Sequence, residues 1–249
     1  MANDYFTFKA FTIRQSRCGM KVGTDGTLLG AWARGGSRIL DVGTGTGLIA
    51  LMMAQRFPDA SIVGIDIDGQ AVSQAAENVA ASPFAPRVII RQQDVAASPF
   101  APRVIVWQQD VTALPSPGQD DAEEYDAIVS NPPYFTDSLR SPDSQRTLAR
   151  HDDTLSYRTL ATSAWRLLAE DGELSVVVPA DQKGRMEAEA VLAGFFKSRD
   201  CSVKTSPRKP AKRCLLAFRK HPCALERTEL TIGSDDYHEL TKDFYIHEN

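Results

Sequence analysis

Short hydrophobic runs and helical segments alternate along most of the chain. Five apolar runs are predicted to be buried strands, and polar or turn-forming residues bound each of them: Arg38–Val42, Ser61–Ile67, Tyr125–Ser130, Glu173–Pro179 and Cys214–Phe218. Three further segments have helical composition: Gly47–Arg56, Gly69–Val79 and Thr154–Ala169. Alternating strands and helices predict the α/β class, a doubly wound parallel sheet with helices on both faces.

A sixteen-residue segment occurs twice in tandem. Ala80–Val95 reads AASPFAPRVIIRQQDV and Ala96–Val111 reads AASPFAPRVIVWQQDV, so the copies differ at two positions. Two copies are too few for a solenoid, and a sheet of this class needs one strand here. We therefore expect one copy to be an insertion, and we favour the second copy as the strand of the fold. An arrangement in which both copies pair as neighbouring edge strands is also open.

Composition limits the classes of function. The chain has 249 residues and a net charge of −4, so it lacks the overall positive field of many nucleic-acid-binding proteins. Its four cysteines form no C-x-x-C pair and its four histidines are scattered, which predicts reduced thiols in a cytoplasmic protein and no metal site. Apolar runs are shorter than the ~20 residues of a membrane span, and no signal peptide is recognisable.

A glycine-rich loop follows the first predicted strand. Asp41 precedes three glycines in the pattern D-x-G-x-G-x-G, and they are Gly43, Gly45 and Gly47. Glycines permit a tight turn and allow a ligand to come close to the backbone. No long glycine-rich phosphate cradle that ends in Lys-Ser or Lys-Thr is present in the sequence, which argues against a nucleoside triphosphatase.

Acidic residues follow the next two strands. Asp66 ends the second strand, where a carboxylate can accept hydrogen bonds from both ribose hydroxyls of a bound cofactor. Asp110, or Asp94 if the first copy forms the strand, ends the third, where an acid can accept from an adenine amino group. Together with the glycines, these acids predict a cofactor of the nucleoside type at the carboxyl edge of the sheet.

Asn131, Pro132, Pro133 and Tyr134 form a corner at the end of a predicted strand. The Asn131 side-chain oxygen and the Pro132 carbonyl can each accept one hydrogen of a planar amino group, and the prolines hold both acceptors rigidly. The Tyr134 ring can stack on the flat group that carries the nitrogen. A simple proline turn is the alternative for these four residues taken alone. The corner therefore predicts a site that holds a planar amine by positioning and polarisation, without a strong base.

The loop resembles that of class I S-adenosylmethionine-dependent methyltransferases. The N-terminal run Lys21-Val22-Gly23-Thr24-Asp25, taken with the Asn-Pro-Pro-Tyr corner, resembles the bacterial tRNA1(Val) adenine-37 methyltransferase family over most of the chain. This resemblance implies a Rossmann-like, mostly parallel sheet of seven strands and S-adenosylmethionine as cofactor. It implies that residues 1–36 close over the cofactor and that residues 37–249 form the methyltransferase domain, with one domain overall.

The resemblance also implies which residues form the site. The catalytic residues are those of the corner: Asn131, Pro132, Pro133 and Tyr134. The cofactor-binding residues are Lys21, Thr24, Asp25, Asp41, Gly43, Gly45, Gly47, Asp66, Asp110, Val111, Asp94 and Asn131. The tandem copy departs from the family pattern, so the contact after the third strand could come from either copy.

Related corners serve other substrates, which remain as alternatives. Glutamine methyltransferases of this type carry a helical domain before the catalytic fold, and about forty residues precede the glycine loop here, too few for such a domain. DNA adenine methyltransferases usually add a target-recognition domain, for which we see no space. A catalytically inactive RNA-binding module of the same fold is the third alternative.

Two basic stretches support RNA as the substrate. Residues 197–220 contain nine Lys or Arg and one acid, a composition suited to backbone phosphates. A second stretch lies after the corner and contains Arg140, Arg146 and Arg150. A solvated charged face is the alternative for both stretches. The predicted RNA contacts are Tyr134, Phe135, Arg150, Arg208, Lys209, Lys212 and Arg213. We therefore expect a monomer that acts on tRNA, without metal or membrane.

Overall fold

The structure is a computed structural model that describes residues 3–85, 88–90, 104–108, 124–133 and 155–246. The described strands are β1 (Tyr5–Thr7), β2 (Thr12–Arg14), β3 (Arg38–Val42), β4 (Ser61–Asp66), β5 (Val88–Ile90), β6 (Val104–Gln108), β7 (Tyr125–Ser130), β8 (Leu168–Pro179), β9 (Phe196–Lys204), β10 (Arg213–Arg219) and β11 (Glu226–Thr231). The described helices are α1 (Thr24–Trp32), α2 (Leu48–Arg56), α3 (Gly69–Ala80), α4 (Tyr157–Leu167), α5 (Lys183–Leu192) and α6 (Asp235–Thr241).

Nine of these strands form the main sheet in the order β11-β9-β10-β8-β7-β3-β4-β6-β5. β10 runs antiparallel to β8 and β9, and the other neighbouring pairs are parallel. The chain moves from β3 outward to β4 and β6, and then returns to the other side of β3 as β7. The strand order therefore reverses between β3 and β7, and ligands of open α/β sheets bind at the carboxyl ends of strands at such a point.

Hydrophobic side chains cover both faces of the sheet. On one face, Ile39 and Ile62 belong to a buried cluster that includes residues of α1, α2 and α3. On the other face, Leu40 and Val63 pack with residues of α4 and α5. Neighbouring residues of a strand point to opposite faces, so a run such as Ile39-Leu40 is buried on both sides. This arrangement explains why the central strands are continuously apolar.

The prediction of a doubly wound, mostly parallel sheet of seven strands is confirmed, and each edge carries one additional strand. β11 extends the edge beside β9, and β5 extends the edge beside β6. The seven strands between them, in the order β9-β10-β8-β7-β3-β4-β6, form the predicted sheet. The described sheet therefore has one more strand at each edge than the sequence pattern predicted.

The structure describes a strand from each copy of the tandem repeat. Val104–Gln108 of the second copy pairs with β4, and Val88–Ile90 of the first copy pairs with Val104–Val106 on the outer side. Each residue of β5 pairs with the residue sixteen positions later, so equivalent positions of the two copies are neighbours. The arrangement is the one in which both copies pair as neighbouring strands. That one copy is an insertion stays a prediction.

Element boundaries differ from the predicted ones mainly after Asn131. The predicted helix Thr154–Ala169 is found as Tyr157–Leu167, and β8 begins directly after it at Leu168, five residues before its predicted start at Glu173. Ser156 begins the helix, because its hydroxyl accepts a hydrogen bond from Thr159 N. The hairpin β1–β2, α1, α5, β9, β11 and α6 had no predicted counterpart. No helix among the described residues is long and apolar enough to cross a membrane.

Candidate active site

A cleft of about 1170 Å³ lies at the carboxyl edge of the sheet, at the point where the strand order reverses. Most of its wall comes from four segments, which are residues 18–26, 42–46 and 65–68 and the corner that contains Asn131 and Pro133. They lie far apart in the sequence, but the parallel strands β3, β4 and β7 end at the same edge. The predicted cofactor loop and the predicted catalytic corner therefore share one cleft.

The three glycines of the loop adopt backbone conformations that favour glycine. Gly43, Gly45 and Gly47 have φ angles of 71°, 55° and 79°. A Cβ at Gly43 would have no neighbour within 4 Å, and one at Gly45 would meet only the Gly43 carbonyl, at 4.0 Å. The backbone at these two positions is open for the close approach of a ligand. Gly47 instead faces α3, where an added Cβ would lie 3.3 Å from Ala75 Cβ.

We expect Gly47→Ala to lower the free energy of unfolding by about 1–2 kcal/mol, because alanine is strained at positive φ and its Cβ crowds Ala75. Chemical denaturation measures this change. Gly184→Ala is the matched control, since Gly184 lies in α5 with no atom within 4 Å of an added Cβ. The control should be neutral or more stable than the unchanged protein. Equal stability of the two variants would contradict the argument from strain.

Asp41 lies beneath the glycine loop and does not line the cleft. It is fully buried, and its Oδ2 accepts hydrogen bonds from the Thr44 hydroxyl at 2.7 Å and from Ala50 N at 3.1 Å. Its Oδ1 is buried without a hydrogen-bond partner among the described residues. Burial raises the pKa of this carboxyl to about 7, although the two hydrogen bonds oppose the change. Asp41 thus fixes the loop to the first turn of α2, whose N-cap Gly47 provides no side-chain cap.

Asp66 ends β4 and faces the cleft next to the loop. Its Oδ2 accepts a hydrogen bond from Gly45 N at 2.9 Å, and its Oδ1 accepts one from Asp68 N at 3.0 Å. Burial raises the pKa of the Asp66 carboxyl, and the backbone hydrogen bonds oppose this rise. These bonds orient a half-buried carboxylate at the cleft wall, in the position that sequence reasoning assigned to a ribose contact.

The Asn131 corner is joined to the base of the glycine loop. Ser130 pairs with Val42 across the sheet, and its hydroxyl donates a hydrogen bond to the Val42 carbonyl at 2.8 Å. Asn131 is half-buried, and its Nδ2 lies 3.7 Å from Met20 Sδ. A Cβ on Gly26 of α1 would lie 3.9 Å from the same nitrogen. The amide is therefore held between the corner, α1 and the N-terminal segment.

Within the corner, the structure separates the two prolines. Pro133 lines the cleft, whereas Pro132 is buried and does not. Tyr134 and Phe135, the predicted stacking residues, lie outside the described residues. So do Asp94, Asp110 and Val111, the predicted contacts after the third strand. The loop arginines Arg140, Arg146 and Arg150 lie outside them as well.

Buried polar side chains that sequence reasoning missed support the N-terminal segment. Gln15 is 6% exposed, and its Oε1 accepts a hydrogen bond from Val22 N at 2.7 Å. Asn78, on α3, binds both backbone groups of Arg14 and donates to the Thr46 carbonyl of the glycine loop at 2.9 Å. Asn78 follows Gln74 by one helical turn on the buried face of α3. A polar pair on an otherwise apolar helix face is the sequence signal that could have predicted these buried hydrogen bonds.

Most of the basic residues between 197 and 220 serve the fold. Six of the nine form ion pairs with acids, and they are Lys197, Arg199, Lys204, Arg213, Arg219 and Lys220. The buried Glu173 forms ion pairs with both Arg199 and Arg219. The Arg199 guanidinium also stacks on Trp32, 3.7 Å from the centre of its ring. Ion pairs therefore account for six of the nine cations in this stretch, and the RNA contacts predicted from its composition stay a prediction.

The remaining three basic residues, Arg208, Lys209 and Lys212, are exposed in the connection between β9 and β10. No acid is recorded within 4 Å of their side chains in the described part of the chain. Because β9 ends and β10 begins at the carboxyl edge, this hairpin lies at the same edge as the cleft. Arg213 follows it directly and lines the cleft, where its Nε donates to Asp25 Oδ2 at 2.6 Å.

Comparison with known proteins decides the family. A model described as a methyltransferase domain matches residues 39–122. The tRNA1(Val) (adenine(37)-N6)-methyltransferase of Bacteroides fragilis is 42% identical over 254 residues, which cover 99% of each chain. The protein of the same name from Parabacteroides distasonis is 44% identical over 255 residues, again covering 99% of each chain. This chain belongs to the tRNA1(Val) (adenine(37)-N6)-methyltransferase family. The resemblance noted from the Lys-Val-Gly-Thr-Asp run and the corner is confirmed.

Comparison of structures supports the fold of this methyltransferase. A predicted O-methyltransferase from Agrobacterium tumefaciens matches with a TM-score of 0.62 at 18% identity, covering 91% of this chain and 99% of that one. At this identity the match bears on the fold alone. It agrees with the doubly wound sheet described above.

The cleft of the methyltransferase fits a cofactor of the nucleoside type. Gly43 and Gly45 leave their side of the cleft open, and Asp66 presents an oriented carboxylate beside them. The volume of the cleft, about 1170 Å³, is above the roughly 300–1,000 Å³ usual for small-molecule pockets. The cleft therefore has room for a cofactor and for a second flat group next to Asn131. No group of acids, histidines or cysteines suited to a metal ion occurs among the described residues.

Proposed function

We propose that this enzyme transfers a methyl group from S-adenosylmethionine to the 6-amino group of an adenine in tRNA, namely adenine 37 of tRNA1(Val). The observation that carries the proposal is the junction of Ser130 with Val42, which places Asn131 at the mouth of the glycine loop. The relatives that share 42–44% of its residues over the whole chain are named for this reaction. S-adenosylmethionine, when bound, supplies an electrophilic methyl group on a sulfonium.

Asn131 and Pro132 carry the chemical role in this proposal. In this proposal the Asn131 amide oxygen, which lines the cleft, and the backbone carbonyl of the buried Pro132 accept the two hydrogens of the adenine amino group and direct the nitrogen lone pair toward the methyl donor. Two acceptors also stabilise the positive charge that develops on the nitrogen during attack. An exocyclic amine needs no deprotonation before it attacks, so positioning supplies most of the rate increase. The nucleotide has to be splayed out of its stack to reach Asn131.

The cofactor lies over Gly43 and Gly45 in this proposal, with its ribose hydroxyls on Asp66. Lys21, Thr24 and Asp25 line the opposite wall, and residues 1–36 act as the segment that closes over the cofactor. The adenine of the cofactor is contacted after the third strand by Asp110 and Val111, with Asp94 as the alternative. Tyr134 and Phe135 form the stacking platform for the target base.

The hairpin between β9 and β10 contacts tRNA phosphates in this proposal. Arg208, Lys209 and Lys212 are exposed there at the edge that contains the cleft. We expect Lys209→Gln to weaken tRNA binding and to reduce the slope of log K against log salt concentration by about 1, since one phosphate contact is lost. Filter binding over a range of salt concentrations measures this slope.

Lys204→Gln is the matched control for the hairpin. Lys204 ends β9, but its ammonium group is paired with Glu229 at 2.7 Å. Its removal should leave the salt slope unchanged. Equal slopes for the Lys209 and Lys204 variants would place the tRNA elsewhere on the surface.

A panel of substrates tests the proposed reaction. Enzyme and labelled methyl donor are incubated in parallel with tRNA, with duplex DNA and with a release-factor peptide that contains the target glutamine. We expect label in tRNA only. Label in the peptide or in DNA, and none in tRNA, would overturn the proposal. We further propose that the enzyme works as a cytoplasmic monomer, which light scattering of the purified protein tests for the oligomeric state.

A further inference from the structure

Arg213 occupies a junction between the sheet, the basic hairpin and the cleft. It is the first residue of β10, and it pairs with Pro179 of β8 and with Val203 of β9. Its Nη1 donates to the Lys212 carbonyl at 2.9 Å, and its Nε donates to Asp25 Oδ2 at 2.6 Å. The guanidinium therefore extends from a fixed strand position across to α1.

Asp25 lies in the first turn of α1 and near the end of the wall segment formed by residues 18–26. The N-cap of α1 is Gly23, which has no side chain to accept hydrogen bonds from the first turn. Among the described residues, Gln15 accepts a hydrogen bond from Val22 N of this segment, and Arg213 donates one to Asp25. An ion pair between an α1 carboxylate and a strand guanidinium therefore anchors the end of the segment nearest to the cleft.

The ion pair between Arg213 and Asp25 is short and partly shielded from solvent. The Asp25 side chain is 22% exposed and the Arg213 side chain 34% exposed, so the pair is shielded from solvent more than the cations of the hairpin. The short Nε–Oδ2 distance is that of a charge-assisted hydrogen bond. Sequence reasoning assigned Asp25 to the cofactor and Arg213 to RNA, whereas the structure joins the two residues to each other.

We propose that Arg213 is a positioning residue for the cofactor: by holding Asp25 it keeps residues 21–25 over the glycine loop. The guanidinium acts through Asp25 and the backbone of the segment. It does not act as a phosphate contact of the tRNA. The inference rests on the proposed function only for the identity of the cofactor.

Binding of S-adenosylhomocysteine, measured by calorimetry without RNA, tests this role. We expect Arg213→Gln and Asp25→Asn each to weaken binding about 10-fold, and the double variant to weaken it by the same factor rather than about 100-fold, because both changes break one contact. Arg227→Gln is the matched control, since Arg227 is an exposed arginine of β11 that does not line the cleft. It should leave the affinity unchanged.

Two further measurements separate positioning from other roles. Without ligand, the melting temperature of Arg213→Gln should lie within about 4 °C of the unchanged protein, because a partly exposed ion pair contributes little to stability. The salt slope of tRNA binding should be unaffected by Arg213→Gln, while Lys212→Gln reduces it by about 1.

Three results would overturn the inference. They are unchanged cofactor affinity in Arg213→Gln, additive losses in the double variant, which would indicate separate contacts, and a large loss of stability without ligand. Since the binding assay contains no RNA, a failure of the tRNA assignment would leave these outcomes interpretable.

Discussion

Asn131→Ala is expected to lower turnover about 1,000-fold, which corresponds to about 4 kcal/mol of transition-state stabilisation. The variant loses the amide oxygen that accepts a hydrogen of the target amine, and with it the orientation of the nitrogen lone pair. The corner itself should persist, because the Ser130–Val42 hydrogen bond does not depend on the Asn131 side chain. Single-turnover methylation of tRNA at saturating cofactor measures the loss.

Cofactor binding and a conservative variant serve as controls for Asn131. Affinity for S-adenosylhomocysteine should change by less than about 3-fold, because the lost interaction acts mainly on the target group. Asn131→Asp retains an acceptor oxygen at the same place and should recover part of the lost rate. An alanine variant that keeps more than about a tenth of the turnover would remove Asn131 from the chemical step.

Asp66→Ala is expected to weaken cofactor binding about 100-fold, or about 2.7 kcal/mol. Two contributions are lost together. One is the proposed acceptance of ribose hydroxyls, and the other is the hydrogen bond that Asp66 Oδ2 accepts from Gly45 N. Hydrogen bonds to a charged, partly buried acceptor contribute more than neutral ones, which accounts for the size of the effect. Calorimetric titration with S-adenosylhomocysteine measures the change.

Asp59 provides the comparison for Asp66. It is exposed and lies just before β4, at the end of the strand opposite the cleft. Asp59→Asn should bind the cofactor like the unchanged enzyme. If Asp66→Ala also bound normally while remaining folded, the cofactor would have to lie elsewhere than across the end of β4.

The central fold could be predicted because its strands are buried on both faces. β3, β4 and β7 are continuous apolar runs that end in residues with chemical function, and parallel strands bring those ends together. For this reason, Asp66 and Asn131 could be placed in one cleft from the sequence alone. The same reasoning does not reach Asp41, since a strand-end acid can lie beneath a loop as readily as in the cleft.

β9 could not be predicted because its polarity conceals its burial. Its residues Lys197, Arg199 and Asp200 are charged, yet each forms an ion pair with a neighbouring element. Sequence composition counts charges but does not show which of them are paired. The stretch therefore resembled a surface for RNA, and the structure restricts the exposed cations to the hairpin that contains Lys209.

The tandem repeat shows a different limit. Two nearly identical segments have the same strand propensity, so propensity cannot decide which copy joins the sheet. In the structure both do, with Val104 beside β4 and Val88 beside Val104. The paired stretches of the two copies have the same hydrophobic sequence pattern, and this identity favours pairing in register.

Mass spectrometry of nucleosides from methylated tRNA tests the central claim most directly. Purified enzyme is incubated with unmodified tRNA and S-adenosylmethionine, and the RNA is digested to nucleosides. The Asn131 corner predicts a gain of N6-methyladenosine, at a rate about 1,000-fold lower when the Asn131→Ala variant replaces the enzyme. Methylation at another atom or base, or an equal yield from the variant, would contradict the account.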